Sequence, residues 1–210
     1  MKNIFTFYTL LLLGFFLNAQ NLKSPDNNLD LNFSIDEKGR AFYSLNFHDK
    51  PVILNSGLGF MLKDNVEWMK IDTLDMMNNF KILNVTFDSV DEYWNPVWGE
   101  ESEIRNNYNE MFVELQQIES ERKVNIRFRL FDDSLGFRYE FPLQEKLGSF
   151  IIIDEKTEFA MAGDHTAMWI PGDYDTQEYN YTTSKLSEIE QKSIEFREEN
   201  VSMYRFSNWA

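Results

Sequence analysis

The sequence predicts an all-β protein built as a two-sheet sandwich. Short apolar stretches alternate with polar residues at the period of two that is typical of half-buried strands, and turn-forming residues separate them. No long stretch shows the 3.6-residue period of an amphipathic helix, which argues against an α/β arrangement. A closed barrel is the main alternative to the sandwich.

The chain begins with a pattern typical of a secretory signal peptide. Lys2 precedes an apolar run from Ile4 to Leu17, and the small residue Ala19 follows at the position where a peptidase would cut. The run is shorter than the roughly 20 residues that a membrane-spanning helix needs. We therefore expect residues 1–19 to be removed and the mature protein to be periplasmic or secreted, with no membrane span. An uncleaved N-terminal anchor is the alternative.

The first strands are predicted as a hairpin. Leu29–Ile35 and Ala41–Phe47 both alternate between apolar and polar residues, and residues 36–39 supply the turn. Residues 48–51 interrupt the pattern, and short apolar stretches follow at Val52–Leu54 and up to Leu62. Further strands are predicted at Phe80–Phe87, Met111–Gln117, Val124–Phe131, Gly136–Phe141 and Phe150–Ile153.

The alternation is clearest in Val124–Phe131. It places Ile126, Phe128 and Leu130 on one face of the strand, while Arg127 and Arg129 lie on the other. The apolar face is expected to enter the core. The arginine face is expected to meet either solvent or an acidic partner.

The C-terminal region differs in composition from the rest of the chain. Residues 186–200 are rich in Glu, Lys and Ser and lack both alternation and a strong apolar stripe, so they predict a weak helix or a loop. The last residues carry aromatic groups with no neighbouring strand pattern. We expect one β-sandwich domain over residues 20–189 and a divergent or truncated tail over residues 190–210.

Composition narrows the possible functions. The formal net charge is −15, which repels phosphate backbones and makes nucleic acid an unlikely partner. The chain has no Cys, so neither disulfides nor a thiol-linked lipid anchor are available and a buried core must provide the stability. The excess of carboxylates suits a neutral ligand such as a sugar, or a hard cation with oxygen ligands. Acidity that only maintains solubility is the simpler interpretation.

A cluster of aromatic and acidic residues at 91–108 is a candidate carbohydrate-binding segment. Trp94 and Trp98 lie among turn formers and five carboxylates, and aromatic rings beside acids can stack on sugars and bind their hydroxyls. The alternative is that both tryptophans pack under a long loop and the acids are solvated. Trp94 and Trp98 are thus weak candidates for substrate binding.

A second cluster, at 164–179, offers oxygen ligands. Asp173, Asp175 and Glu178 follow a Pro-Gly turn, but their spacing is not that of an EF-hand loop. A single ligand contributed to a shared calcium site fits better than a self-contained site.

The two histidines, His48 and His165, have no partners at the spacing of a zinc site or a catalytic triad. Spacing alone identifies no catalytic pair of carboxylates.

Six segments of the sequence together resemble glycoside hydrolase family 97, and in particular its exported, calcium-dependent, exo-acting α-glucosidases. The matching segments are residues 24–29, 94–100, 104–110, 128–131, 136–141 and 169–179. The resemblance runs from about Leu22 to Ile189. It is specific because the segments occur in the same order.

The resemblance implies an N-terminal β-super-sandwich of the galactose-mutarotase-like type, followed by a (β/α)8 barrel and a small C-terminal β domain. In the family the barrel carries the catalytic glutamates. An N-terminal glutamate that matches Glu178 joins barrel glutamates around Ca²⁺. The expected role of this chain is therefore to pack on a barrel that it does not contain and to present Glu178.

The resemblance also implies a substrate. The expected complete enzyme hydrolyses starch or maltooligosaccharides, with attack of water and inversion at the sugar carbon, and this chain alone is expected to be inactive. Family members that act on α-galactosides are retaining, so an α-galactosidase fragment is one alternative. A stand-alone carbohydrate-binding module and the product of a broken gene are the others.

Overall fold

The computed structural model describes residues 19–64, 73–172 and 179–199 and confirms the all-β prediction. The strands are β1 (Gln20–Lys23), β2 (Leu29–Ile35), β3 (Ala41–Phe47), β4 (Lys50–Leu58), β5 (Phe60–Asp64), β6 (Thr73–Met76), β7 (Phe80–Trp94), β8 (Ile104–Gln117), β9 (Lys123–Leu130), β10 (Leu135–Glu140), β11 (Phe150–Glu155), β12 (Thr166–Trp169) and β13 (Thr182–Lys185). A 3₁₀ turn at Leu186–Glu188 leads into helix α1 (Ile189–Glu199). The predicted signal peptide falls almost entirely outside the described residues.

The first sheet is an antiparallel meander in the order β1-β2-β3-β4. The carboxylate of Asp36 accepts hydrogen bonds from the backbone N–H groups of Lys38 and Arg40, which closes the turn between β2 and β3. His48 and Asp49 both have positive φ, 45° and 61°, as a two-residue type I′ turn requires. The interruption predicted at residues 48–51 is therefore only this turn, and β4 starts at Lys50.

The second sheet has the order β10-β9-β8-β7 and is also antiparallel. Its β7–β8 pairing contains a bulge. The register passes from Ile82 opposite Leu115 to Asn84 opposite Glu114, so Leu83 is an extra residue without a partner in β8. Beyond the bulge, the even-numbered residues of β7 share the outer face with the even-numbered residues of β8.

The two four-stranded sheets pack face to face around an aromatic centre. Phe33 of β2, Tyr43 of β3 and Phe128 of β9 are fully buried. The ring centroid of Phe128 lies 5.8 Å from that of Phe33 and 6.4 Å from that of Tyr43. The other core side chains on these two sheets include Leu22, Leu29, Leu31, Ala41, Leu45, Met111, Val113, Leu115, Val124, Ile126 and Leu130. The arrangement is thus a sandwich and not a barrel.

A third sheet, in the order β11-β5-β6, continues from the first. Gly59 joins β4 to β5 where a Cβ atom would lie 2.9 Å from the carbonyl oxygen of Met76, so the close approach of two backbones requires glycine. Residues 156–162 run beside β4 through backbone hydrogen bonds. Tyr43 donates a hydrogen bond of 2.8 Å to the carbonyl of Glu158, which ties this segment to the core.

Strands β12 and β13 form a separate two-stranded hairpin in which Trp169 pairs with Thr182. Helix α1 follows it, so of the weak helix or loop predicted for residues 186–200 the structure shows a helix. Within the described ranges, no helix has the length and apolar character needed to cross a membrane.

The differences from the predicted strands have a common cause. Strands β7 and β8 extend further than predicted. Polar residues occupy both of their faces near the tip of the hairpin, so the alternation that indicates a half-buried strand is absent there. Strands β1, β6, β12 and β13 have only four residues each, too few to show alternation. A pattern that depends on burial therefore finds the core strands and misses the exposed ones.

Candidate functional site

The long β7–β8 hairpin projects beyond the sandwich. Strand β9 pairs with β8 only from Asn109 onward, whereas β7 and β8 remain paired as far as Trp94 and Ile104. Residues 90–108 therefore form a two-stranded extension, which we call the arm. The cluster of aromatic and acidic residues at 91–108, which was not predicted as a strand, is mostly this ribbon.

Cross-strand polar contacts hold the arm together. The guanidinium of Arg105 donates two hydrogen bonds of 2.8 Å to the carboxylate of Asp91, and Asn106 donates one of 2.9 Å to Glu92. The hydrogen bond from Arg105 lowers the pKa of Asp91. At the tip, the side-chain amide of Asn95 donates to the carbonyl of Ser102. The arm is thus ordered although little of it is buried.

The two tryptophans of the arm are exposed. Trp98 at the tip is 91% exposed and Trp94 at the end of β7 is 50% exposed, so neither packs under a loop. Val97 and Tyr93 beside them are also exposed. Aromatic rings surrounded by carboxylates and amides can stack on a sugar or insert into a partner surface.

The second candidate segment is the connection between β12 and β13. At its base Trp169 donates a hydrogen bond of 2.9 Å from Nε1 to Ser184 Oγ. Asp173, Asp175 and Glu178 belong to this connection but lie outside the described residues. Their side chains therefore have no structural description, and the role expected of Glu178 stays a prediction.

A nearby acid, Asp164, already has partners. Its two carboxylate oxygens accept hydrogen bonds of 3.0 Å from the backbone N–H and the hydroxyl of Ser187, and the backbone bond is the main reason why its pKa is lowered. Across residues 19–64, 73–172 and 179–199, no group of three His, Asp or Glu side chains could hold a metal ion. The described residues do not form a calcium site by themselves.

The arginine face of β9 meets acidic side chains of its own sheet. Glu110 of β8 accepts hydrogen bonds from Arg127 and, at 2.8 Å, from Arg129. Glu140 of β10 accepts bonds from Arg127 at 2.7 Å and Arg138 at 2.8 Å. Of the two alternatives predicted for this face, solvent or an acidic partner, the structure shows acidic partners within the domain itself.

These ion pairs perturb the pKa values of both partners. The hydrogen bond from Arg127 is the main cause of the lowered pKa of Glu140, and Arg138 adds to it. The same bond with Glu140 is the main cause of the raised pKa of Arg127. Both side chains are largely buried, 23% exposed for Arg127 and 27% for Glu140, so solvent screens the pair only partly.

Sequence reasoning did not identify Glu110 or Glu140 as partners of the arginines. The available signal was the alternation in β8, since Met111, Val113 and Leu115 predict an inward face and thereby place the even-numbered Glu110 and Phe112 outward. Pairing of β8 with β9 then brings Glu110 opposite Arg129. Assigning Glu110 as the partner of Arg129 also required knowing that β8 and β9 are neighbours in the sheet.

The described residues thus define an all-β, antiparallel sandwich domain with a projecting aromatic arm. The family model described as "Glycosyl-hydrolase 97 N-terminal" matches residues 22–203. The chain belongs to glycoside hydrolase family 97, as the six sequence segments predicted.

Known relatives agree with this assignment. The retaining alpha-galactosidase of Bacteroides thetaiotaomicron is 25% identical over 187 residues, which cover 83% of this chain and 25% of that enzyme. A family 97 enzyme from Pseudoalteromonas sp. strain K8, solved with panose and with acarbose, has 35% identity and a TM-score of 0.69 over 79% of this chain and 24% of that one.

A beta-arabinopyranosidase structure shares the fold alone, with 21% identity and a TM-score of 0.63 over 79% of this chain and 26% of that one. The present chain therefore spans about a quarter of the length of the relatives it matches.

We predict that Glu140→Gln weakens the sheet at neutral pH by about 1–3 kcal/mol, because the neutral amide loses charge-assisted bonds to Arg127 and Arg138. The lowered pKa of Glu140 means that its contribution is complete above the unfolded pKa of about 4.3 and is lost as pH falls through the folded pKa. Urea unfolding between neutral and acidic pH measures both effects.

The matched control is Glu145→Gln, since the Glu145 side chain is exposed and has no ion pair in the described residues. The stabilities of the wild type and Glu140→Gln should converge in acid. Equal stability at neutral pH, or a difference that persists unchanged in acid, contradicts the assigned role of Glu140.

Proposed function

We propose that this chain is the N-terminal β-sandwich of an exported, calcium-dependent, exo-acting α-glucosidase of family 97 that hydrolyses starch or maltooligosaccharides. The main support is the 35% identity to the Pseudoalteromonas enzyme solved with panose, an oligosaccharide of α-linked glucose. The alpha-galactosidase of Bacteroides thetaiotaomicron, at 25% identity, supports an α-galactoside substrate less strongly.

In this proposal the chain supports catalysis and does not perform it. The relatives are about four times as long as the matched region, which leaves room in them for a separate catalytic domain. The sandwich provides a rigid core, and its β12–β13 hairpin presents the connection that contains Glu178. We propose a (β/α)8 barrel as the partner that supplies the catalytic glutamates.

The proposed calcium role of Glu178 is consistent with the chemistry of its segment. Asp173, Asp175 and Glu178 offer the hard oxygen donors that Ca²⁺ prefers. When bound, calcium would supply positive charge close to the substrate. Glu178 would hold one side of the coordination shell.

A second candidate function is a stand-alone carbohydrate-binding module. The observation that favours it is the exposure of Trp98 at the tip of the ordered arm. A tryptophan in this position can stack on a sugar ring without any other domain.

The isolated chain should not hydrolyse 4-nitrophenyl α-glucoside or 4-nitrophenyl α-galactoside above the rate in buffer. The reason is that the proposed acid and base belong to the barrel. Release of 4-nitrophenol is followed by absorbance in the presence and absence of calcium. Enzyme-dependent turnover that survives repurification of the chain would overturn the division of labour.

Calcium should bind the isolated chain only weakly, with a dissociation constant of about 1 mM or above, because one glutamate supplies at most two of the six to eight oxygens that Ca²⁺ requires. Titration calorimetry provides the measurement, and Glu178→Gln should remove what binding exists. Glu190→Gln, on helix α1, is the matched control. Micromolar affinity would show a complete site within this chain and contradict the shared one.

Maltoheptaose should release no binding heat with the isolated chain if the sandwich is a supporting domain. Saturable heat that disappears in Trp98→Ala but persists in Phe87→Ala would instead favour the binding module, because Phe87 is a second exposed aromatic outside the arm. Calorimetry of the wild type and both variants thus decides between the two candidate functions.

A further inference from the structure

A small pocket opens on the outer face of the second sheet, between β9 and β10. It has a volume of about 170 Å³ and is lined by Arg127, Arg129, Phe131, Gly136, Phe137 and Arg138. The register places Gly136 directly opposite Arg129 and Arg138 opposite Arg127. A Cβ atom added to Gly136 would meet nothing within 4 Å, so the missing side chain creates the space.

The guanidinium groups around this pocket are held in place. Arg127 stacks over the ring of Phe112 at 4.3 Å, and Arg129 stacks over the ring of Tyr108 at 4.4 Å. Glu110, whose side chain is only 10% exposed, bonds both arginines from below. Such stacking and pairing reduce the entropy that a guanidinium loses when it binds a ligand.

The pocket has unused hydrogen-bonding capacity. In the part of the chain that the structure describes, Arg129 donates only from Nε, to Glu110, and its two Nη atoms make no hydrogen bond. Arg138 donates from Nε and Nη2 to one oxygen of Glu140 and remains 66% exposed. A guanidinium has five N–H donors, so several remain available beside the pocket.

The charges around the pocket do not balance. Arg127, Arg129 and Arg138 face two carboxylates, those of Glu110 and Glu140. One positive charge is left, although the whole chain carries −15. One further carboxylate would complete the alternation of guanidinium and carboxylate groups in this network.

We propose that this pocket binds a carboxylate group between Arg129 and Arg138, above Gly136. The planar fork of a guanidinium matches a carboxylate through paired N–H···O bonds. The volume of about 170 Å³ suits one such group and is too small for an oligosaccharide. The pocket is lined by no residue of the β12–β13 connection, and the inference is independent of the proposed function.

The test follows the Nε–Hε signals of the arginines in ¹⁵N–¹H NMR spectra during titration with succinate at constant ionic strength. The Arg129 and Arg138 signals should shift saturably, with a dissociation constant of about 1–10 mM, as expected for a single charge-assisted contact. Arg105, exposed and paired with Asp91, is the internal control and should not follow the same curve.

Two variants separate binding from folding. Gly136→Val fills the pocket and keeps every charge, and Arg138→Gln removes one ligand while the Arg127–Glu140 bond remains. Each should raise the dissociation constant about tenfold or more. Gly148→Val, at another glycine with open space around it, should change nothing. Unchanged affinity in a folded Gly136→Val variant, or equal shifts at Arg105, would overturn the proposal.

Comparing two kinds of probe shows whether the bound carboxylate belongs to a polypeptide side chain or to a free small acid. A capped peptide with one glutamate between glycines is compared with its glutamine counterpart and with succinate. Tighter binding of the glutamate peptide than of succinate identifies a polypeptide side chain as the ligand, and the reverse order identifies a free small acid. No saturable shift with any carboxylate, or tighter binding of inorganic phosphate than of all of them, would refute a carboxylate site.

Discussion

The contact between the two four-stranded sheets is the interaction on which the rest of the structure depends. The chain has no cysteine, so no covalent link can replace the packing of Phe128 against Phe33 and Tyr43. Burial of these aromatic side chains in a close-packed interior provides the largest favourable contribution available to a domain of this size. It also fixes which face of each strand points inward.

That inward face determines the chemistry of the opposite one. Once Ile126, Phe128 and Leu130 enter the core, Arg127 and Arg129 must lie outside, and pairing with β8 and β10 brings acids beside them. The ion-paired surface is therefore a consequence of core packing and strand order. This surface has one unbalanced positive charge, which distinguishes it from a network in which opposite charges cancel. Isolated exposed ion pairs contribute little to the free energy of unfolding.

The parts of the structure that the sequence predicted are those in which burial produces a pattern. The β2–β3 hairpin and β9 have one face in the core, so their alternation identified them. The distal half of the β7–β8 hairpin has no core to face, and residues 91–108 were consequently not predicted as strands. The calcium role of Glu178 was predicted only through the family resemblance and stays a prediction, because spacing alone does not distinguish this residue from a surface acid.

The family assignment and the local structure give different kinds of information. Membership of family 97 rests on a match across most of the chain, whereas substrate specificity is decided by the side chains of a site and does not follow from the fold. The arm, the β12–β13 connection and the ion-paired face lie outside the aromatic centre. The exposed residues of the arm can therefore change in sequence with little effect on the stability of the sandwich, whereas the ion pairs of Glu140 contribute to it.

The unpaired residue Leu83 has an effect far from its position. Because side chains in a strand alternate, this one extra residue reverses the alternation along β7: Phe80 and Ile82 lie opposite odd-numbered residues of β8, whereas the even-numbered residues after the bulge lie opposite even-numbered ones. It places Glu92 and Trp94 on the same side of the hairpin as Glu110. Deleting Leu83 would restore regular pairing with every later residue of β7 opposite the same partner, so its effect would be to remove the bend and extra twist that the bulge gives the hairpin. The direction in which Trp94 points is thus influenced by a residue eleven positions upstream of it.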